Sequence, residues 1–84
     1  MQEYKVTSWD ALTRRDTKIV FRPEDATSLA WSMAYARLEA NGKLDSDAAW
    51  RVYRAIAAIG NDVDYVSIPL LYNDFVTITK VGAT

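Results

Sequence analysis

The chain has no cysteine and no histidine. Without cysteine there is no disulfide framework and no thiolate zinc site. Without histidine the commonest general base and imidazole metal ligand are missing as well. A Ser-His-Asp or Cys-His nucleophile system is therefore excluded within this chain. Glycine is scarce, with Gly42, Gly60 and Gly82 the whole complement. Each stands at the end of a regular segment, so no glycine-rich phosphate loop exists. Charge of one sign is lacking too. The formal net charge of −1 supplies no global attraction to nucleic acid. No apolar run approaches the roughly 18 residues of a membrane span. The N-terminal MQEYKVTSW has no basic region followed by an apolar one, so no signal peptide is expected. A cytoplasmic protein, intact from Met1, is the expectation, with no cofactor, no metal and no membrane.

What is abundant is aromatic. Three Trp, five Tyr and two Phe occur in 84 residues. A chain of this size buries only about 60% of its unfolded surface, in one modest core. Some of the rings are therefore expected at the surface. One domain, residues 1–84, is expected.

The longest regular stretch is Pro23–Ala40. Pro23 suits the first helical position, where its missing N–H would be unpaired anyway. Glu24 and Asp25 sit at the positive end of the helix dipole. Asn41-Gly42 closes the helix, with glycine taking the left-handed conformation. Its apolar residues form two stripes at 100° per residue. Ala26, Leu29, Ala30, Met33, Ala36 and Ala40 make one; Trp31, Ala34, Tyr35 and Leu38 make the other. A surface helix normally has one stripe. Either this helix is sandwiched, or its second side serves a partner.

Around it, Glu3–Trp9 alternates as a strand, with Tyr4, Val6 and Ser8 on one face. The polar Asp10–Asp16 reads as a loop. Thr17–Arg22 reads as a second strand, with Ile19 and Phe21 inward and Lys18, Val20 and Arg22 outward. Asp45 or Ser46 caps a second helix, Asp47–Ile59, whose stripe is Ala49, Val52, Tyr53, Ile56 and Ile59. Tyr65–Tyr72 and Phe75–Val81 flank a two-residue Asn73-Asp74 hairpin turn. Pro69 lacks an N–H for the ladder, so its strand belongs at a sheet edge or carries a bulge. The order is ββααββ. Neither hairpin stands alone. The expected fold is α+β, a four-stranded antiparallel sheet with both helices packed on one face. The other face would then carry Lys5, Thr7, Trp9, Lys18, Val20, Ser67, Leu71, Thr77 and Thr79.

With histidine and cysteine absent, carboxylates are what remain for acid–base work or hard-metal binding. Glu24/Asp25, Asp45/Asp47 and Asp62/Asp64 are close pairs, each at a helix end or turn where capping explains it. Asp45–Asp47 begins like an EF-hand loop, but the twelfth position is Ile56, not Glu. The candidate contact residues are of two kinds. Arg14, Arg15, Lys18 and Arg22 form a basic set on the first hairpin, beside Trp9. Basic residues interleaved with an aromatic are the ingredients of single-strand binding, although the same charges also protect a strand edge from aggregation. Trp31 and Tyr35, one turn apart, are either core or an interface, since Trp and Tyr bury large area at small entropy cost. Tyr72 and Phe75 flank the last turn and are expected to pair across strands.

With no catalytic constellation, the leading expectation is a non-enzymatic protein-binding module. Its concrete form is a small inhibitor or adaptor of a larger cytoplasmic complex. Phage products that block host machinery, such as CRISPR effectors, offer an analogy of style that no residue carries. The alternative is a small nucleic-acid-binding domain using the first hairpin and the sheet face. Homodimerisation is a rival use of any exposed aromatic face.

Overall fold

A computed structural model describes residues 2–11, 13–42, 47–60, 64–70 and 73–81. Its elements are β1 (Glu3–Asp10), β2 (Thr13–Val20), α1 (Pro23–Ala40), α2 (Asp47–Ala57), β3 (Tyr65–Pro69) and β4 (Asp74–Val81). The strands form one antiparallel sheet in the order β2-β1-β4-β3. This is the expected α+β fold. The two central strands come from opposite ends of the chain, so β1 pairs with β4 from Glu3↔Val81 to Asp10↔Asp74.

Antiparallel partners point to the same side of a sheet. Tyr4 and Val6 on β1, Val76 and Ile78 on β4, and Ile68 on β3 therefore share one face, and all are buried. The helices cover that face. Ala26, Ala30 and Ala34, each 0% exposed, let α1 approach the sheet closely, while Met33 and Leu38 fill the space beside them. From α2, Ala49, Val52 and Ile56 close the core. Ala36 and Ala40, assigned to the first stripe from sequence, are exposed. They lie on the arc that faces neither the sheet nor α2. At the end of α1, Gly42 has φ 67 and donates its N–H to Glu39 O at 3.0 Å, as the Asn-Gly signal required. The last α-helical bond of α2 runs from Ala58 N–H to Arg54 O at 3.0 Å, and Ile59 N–H bonds to Ile56 O instead, a tightened last turn.

The first hairpin departs from expectation. Asp10 already pairs with Thr13, so pairing runs through the stretch that read as a loop. The polar run Thr13–Asp16 looked like a loop since neither of its faces is apolar. β2 is an edge strand covered on neither side there, held by backbone pairing and by the Arg15–Asp10 contact. A bulge between Ser8 and Trp9 leaves Arg15 as the extra residue. The sense of β2 is also reversed. Val20 and Lys18 pair with Tyr4 and Val6, which puts Val20 against the core and Lys18 on the helix side of the edge. Ile19 and Phe21 are half exposed, at 50% and 51%. The alternation itself was correct; its phase was set by the register with β1, which β2 alone does not encode.

The last hairpin is also different in its turn. Asp74 is the first residue of β4, and Leu70 donates its N–H to Asp74 O at 2.9 Å. The connection therefore precedes Asp74, and Asn73-Asp74 is not a two-residue loop. β3 ends at Pro69, at the sheet edge where proline is tolerated. The cap at Asp45 or Ser46 and the placements of Leu71 and Tyr72 lie outside the described residues.

Ala11 stands at φ 55. The left-handed region costs an L-residue about 1–2 kcal/mol. Ala11→Gly removes that strain but gives the unfolded chain more freedom. We expect a net gain of about 0.5 kcal/mol, seen as a rise of roughly 2–4 °C in the thermal midpoint by circular dichroism. A fall would mean that the Ala11 methyl group is worth more than its strain.

Candidate functional site

Two aromatic surfaces emerge, on opposite sides of the layered fold. The first lies on the helices. Trp31 on α1 meets Tyr35, one turn on, with ring centroids 6.1 Å apart, and meets Tyr53 of α2 at 5.7 Å. Tyr53 in turn meets Trp50 at 6.0 Å. All three contacts are edge-to-face, the arrangement in which a ring's positive edge meets a negative face. Trp31 is half buried, because it plugs the seam between α1 and α2. The others look outward: Tyr35 is 44%, Tyr53 52% and Trp50 62% exposed. A shallow groove of about 320 Å³ runs past Trp31 and Tyr53, with Ser28 and Thr27 at one end and Ala57 and Ile59 at the other.

Trp31 and Tyr35 were candidates from sequence, and the helices bring them together with two rings that were not. Tyr53 was expected in the core and is not there. Its position on the flank of the α2 stripe turns the ring sideways onto Trp31 rather than down toward the sheet. The signal was available in the i, i+3 spacing of Trp50 and Tyr53, which puts two large rings on one flank. On the same face, Arg54 follows Trp50 by one turn. Neither Arg54 nor Arg51 makes an ion pair among the described residues.

The second surface is the sheet face turned away from the helices. Three cross-strand rows compose it: Arg14–Trp9–Phe75–Pro69, then Thr17–Thr7–Thr77–Ser67, then Ile19–Lys5–Thr79–Tyr65. Trp9 and Phe75 lie parallel, centroids 5.7 Å apart and planes within 9°. Phe75 thus stacks on Trp9 across β1 and β4; its expected pairing with Tyr72 lies outside the described residues. Trp9 donates its indole N–H to Thr77 Oγ1 at 2.9 Å, and Thr17 donates to Thr7 Oγ1 at 3.2 Å. A groove of about 380 Å³ lies between Trp9, Phe75 and Tyr65. Lys18 and Val20, expected on this face, are on the other.

The basic set is dispersed rather than gathered. Arg14 is on the open sheet face beside Trp9. Arg15 leaves the bulge to pair with Asp10 at 2.7 Å. Arg22 precedes α1 and pairs with Glu24 at 2.7 Å. Lys18 faces the helix side of the edge strand. Both of those bridges are solvent-exposed and contribute about 0–1 kcal/mol each.

One polar contact escaped the sequence reading. Arg37, in the last turn of α1, donates from Nε and Nη2 to Asp74 Oδ2 at 3.2 and 3.0 Å. Asp74 is only 8% exposed. It is also the cross-strand partner of Asp10. Two carboxylates thus stand side by side, each neutralised by its own arginine. In each pair the arginine bonds to Oδ2 of its carboxylate, and the Arg37–Asp74 pair ties the end of α1 to the start of β4. Glu24 and Asp25 occupy the first turn of α1, as expected of dipole-favoured charges. Asp45 and Asp62 lie outside the described residues. Among the described residues, no helix is long and apolar enough to cross a membrane. No protein-family model matches this chain, and neither the curated proteins nor the solved structures compared with it gave a match.

Proposed function

We propose that this protein is a non-enzymatic protein-binding module that contacts its partner through the helix face. The observation carrying this reading is the chain of four touching rings, Tyr35–Trp31–Tyr53–Trp50, three of them about half exposed or more. Trp and Tyr are the residues in which binding energy concentrates. Here they are held in place by one another, so little side-chain freedom is lost on contact. Arg54, one turn from Trp50, makes no ion pair among the described residues and lies beside the rings. The partner surface that fits is an apolar pocket with carboxylates at its rim. An inhibitor or adaptor of a larger assembly, the phage-type inhibitor included, is the form this module would take.

The test is face-specific crosslinking in host lysate. A photo-reactive amino acid at Ala57, beside the groove, should capture one protein in stoichiometric amount. The same amino acid at Thr17, on the open sheet face, should not. The capture should survive nuclease and high salt. Equal capture from both positions, or capture of a second copy of this chain alone, would overturn the reading.

A further inference from the structure

The open sheet face is a separate surface, and its chemistry differs from that of the helix face. Its middle row is a line of hydroxyls, Thr17–Thr7–Thr77–Ser67, not an apolar strip. Its two cations, Lys5 and Arg14, make no ion pair among the described residues. The carboxylates of the first hairpin do not oppose them. Asp10 and Asp16 fall on the helix side by register, and Glu3, which shares the open face two residues from Lys5, makes no ion pair with it. Two cations and three planar rings therefore share one surface with a single carboxylate, Glu3, at its Lys5 end. The hydroxyls of Thr7 and Thr77 are buried and bonded within the sheet, so it is the two cations that a dry apolar partner would leave unpaired. A duplex offers bases only within its grooves, which this flat face carries no element to enter. A single strand offers what this face lacks: unstacked bases with π-faces, and phosphates between them.

We infer that the sheet face binds single-stranded nucleic acid. Bases stack against the Trp9–Phe75 pair and across the groove at Tyr65, and phosphates lie toward Arg14 and Lys5. The indole of Trp9 is fixed in its orientation by the bond to Thr77, so the platform is formed before the strand arrives. This surface is distinct from the helix face, and the inference stands whether or not the helix face has a protein partner. With two phosphate contacts the binding is weak and moderately salt-dependent. The slope of log K against log salt should be about −1.4 for a single strand. Raising salt fourfold should then weaken binding by about sevenfold.

Fluorescence anisotropy of labelled dT and U dodecamers, read at two salt concentrations, tests this. Trp9→Ala should weaken binding by roughly tenfold or more through loss of stacking. Trp9 is half buried, so Arg14→Glu serves as the second variant. Arg14 is exposed and unpaired, and its reversal should leave the thermal midpoint unchanged while weakening binding about tenfold. Trp50→Ser, on the helix face, should bind the dodecamers as the wild type does. No binding at low salt, tighter binding to a duplex than to either dodecamer, or full binding by Arg14→Glu would each overturn the inference.

Discussion

Replacing Arg37 with Met should lower the thermal midpoint by roughly 10–20 °C, the largest change that any single polar substitution in this fold should produce. Asp74 is the buried partner, at 8% exposed, while Arg37 retains 26%. Because the arginine is partly wet, the loss falls just below the range for a fully buried pair, about 2–3 kcal/mol. Methionine keeps the length and apolar stem of the side chain, so the loss reflects charge and hydrogen bonds rather than a cavity. What remains is a buried carboxylate with no counter-charge, placed opposite Asp10 in the β1–β4 register. Like charges directly opposite each other are themselves destabilising. Asp74→Asn in the same background removes the stranded charge. The double variant Arg37→Met/Asp74→Asn should therefore be more stable than the Arg37→Met single variant. If Arg37→Met melts within about 2 °C of the wild type, the pair is not what ties α1 to the start of β4.

Truncating the helix-face rings should do the opposite: little to stability, much to binding. Trp50 and Tyr53 are 62% and 52% exposed, so replacing either with Ser should change stability by only about 0.5 kcal/mol. Each is expected to weaken capture of the protein partner by roughly 30-fold or more, the size of an interface hot spot. The effects should not add, because Tyr53 braces both Trp31 and Trp50 and its loss frees both rings. Arg54→Glu should slow association and reverse its salt dependence, as removal of a rim charge does. Titration of the crosslinked partner against each variant measures this directly. Unchanged affinity in Trp50→Ser and Tyr53→Ser together would move the contact off the helix face.

Much of this molecule was legible from residue order. Pro23, Glu24 and Asp25 open α1, and Asn41-Gly42 close it, because caps and dipoles act within one turn of the chain. The alternation of Tyr4, Val6 and Ser8 defined the inward side of β1, since one strand face must meet the core. Pro69 called for an edge strand or a bulge because a missing N–H is a local fact, and β3 is at the edge. ββααββ followed from these, and with it the four-stranded sheet.

What the tertiary structure decided is everything set by register between distant segments. β1 lies between β2 and β4, so residues from the two ends of the chain share the sheet's centre. That pairing inverted β2, moving Val20 to the core and Ile19 to the open face. It set Trp9 against Phe75 and Asp10 beside Asp74. The seam between α1 and α2 likewise turned Tyr53 outward, onto Trp31. Composition alone implied that some of the ten aromatics would be exposed. Which ones, and in what company, depends on how strands register and helices cross. Those choices minimise the free energy of the whole core at once, and no local stretch of sequence carries them.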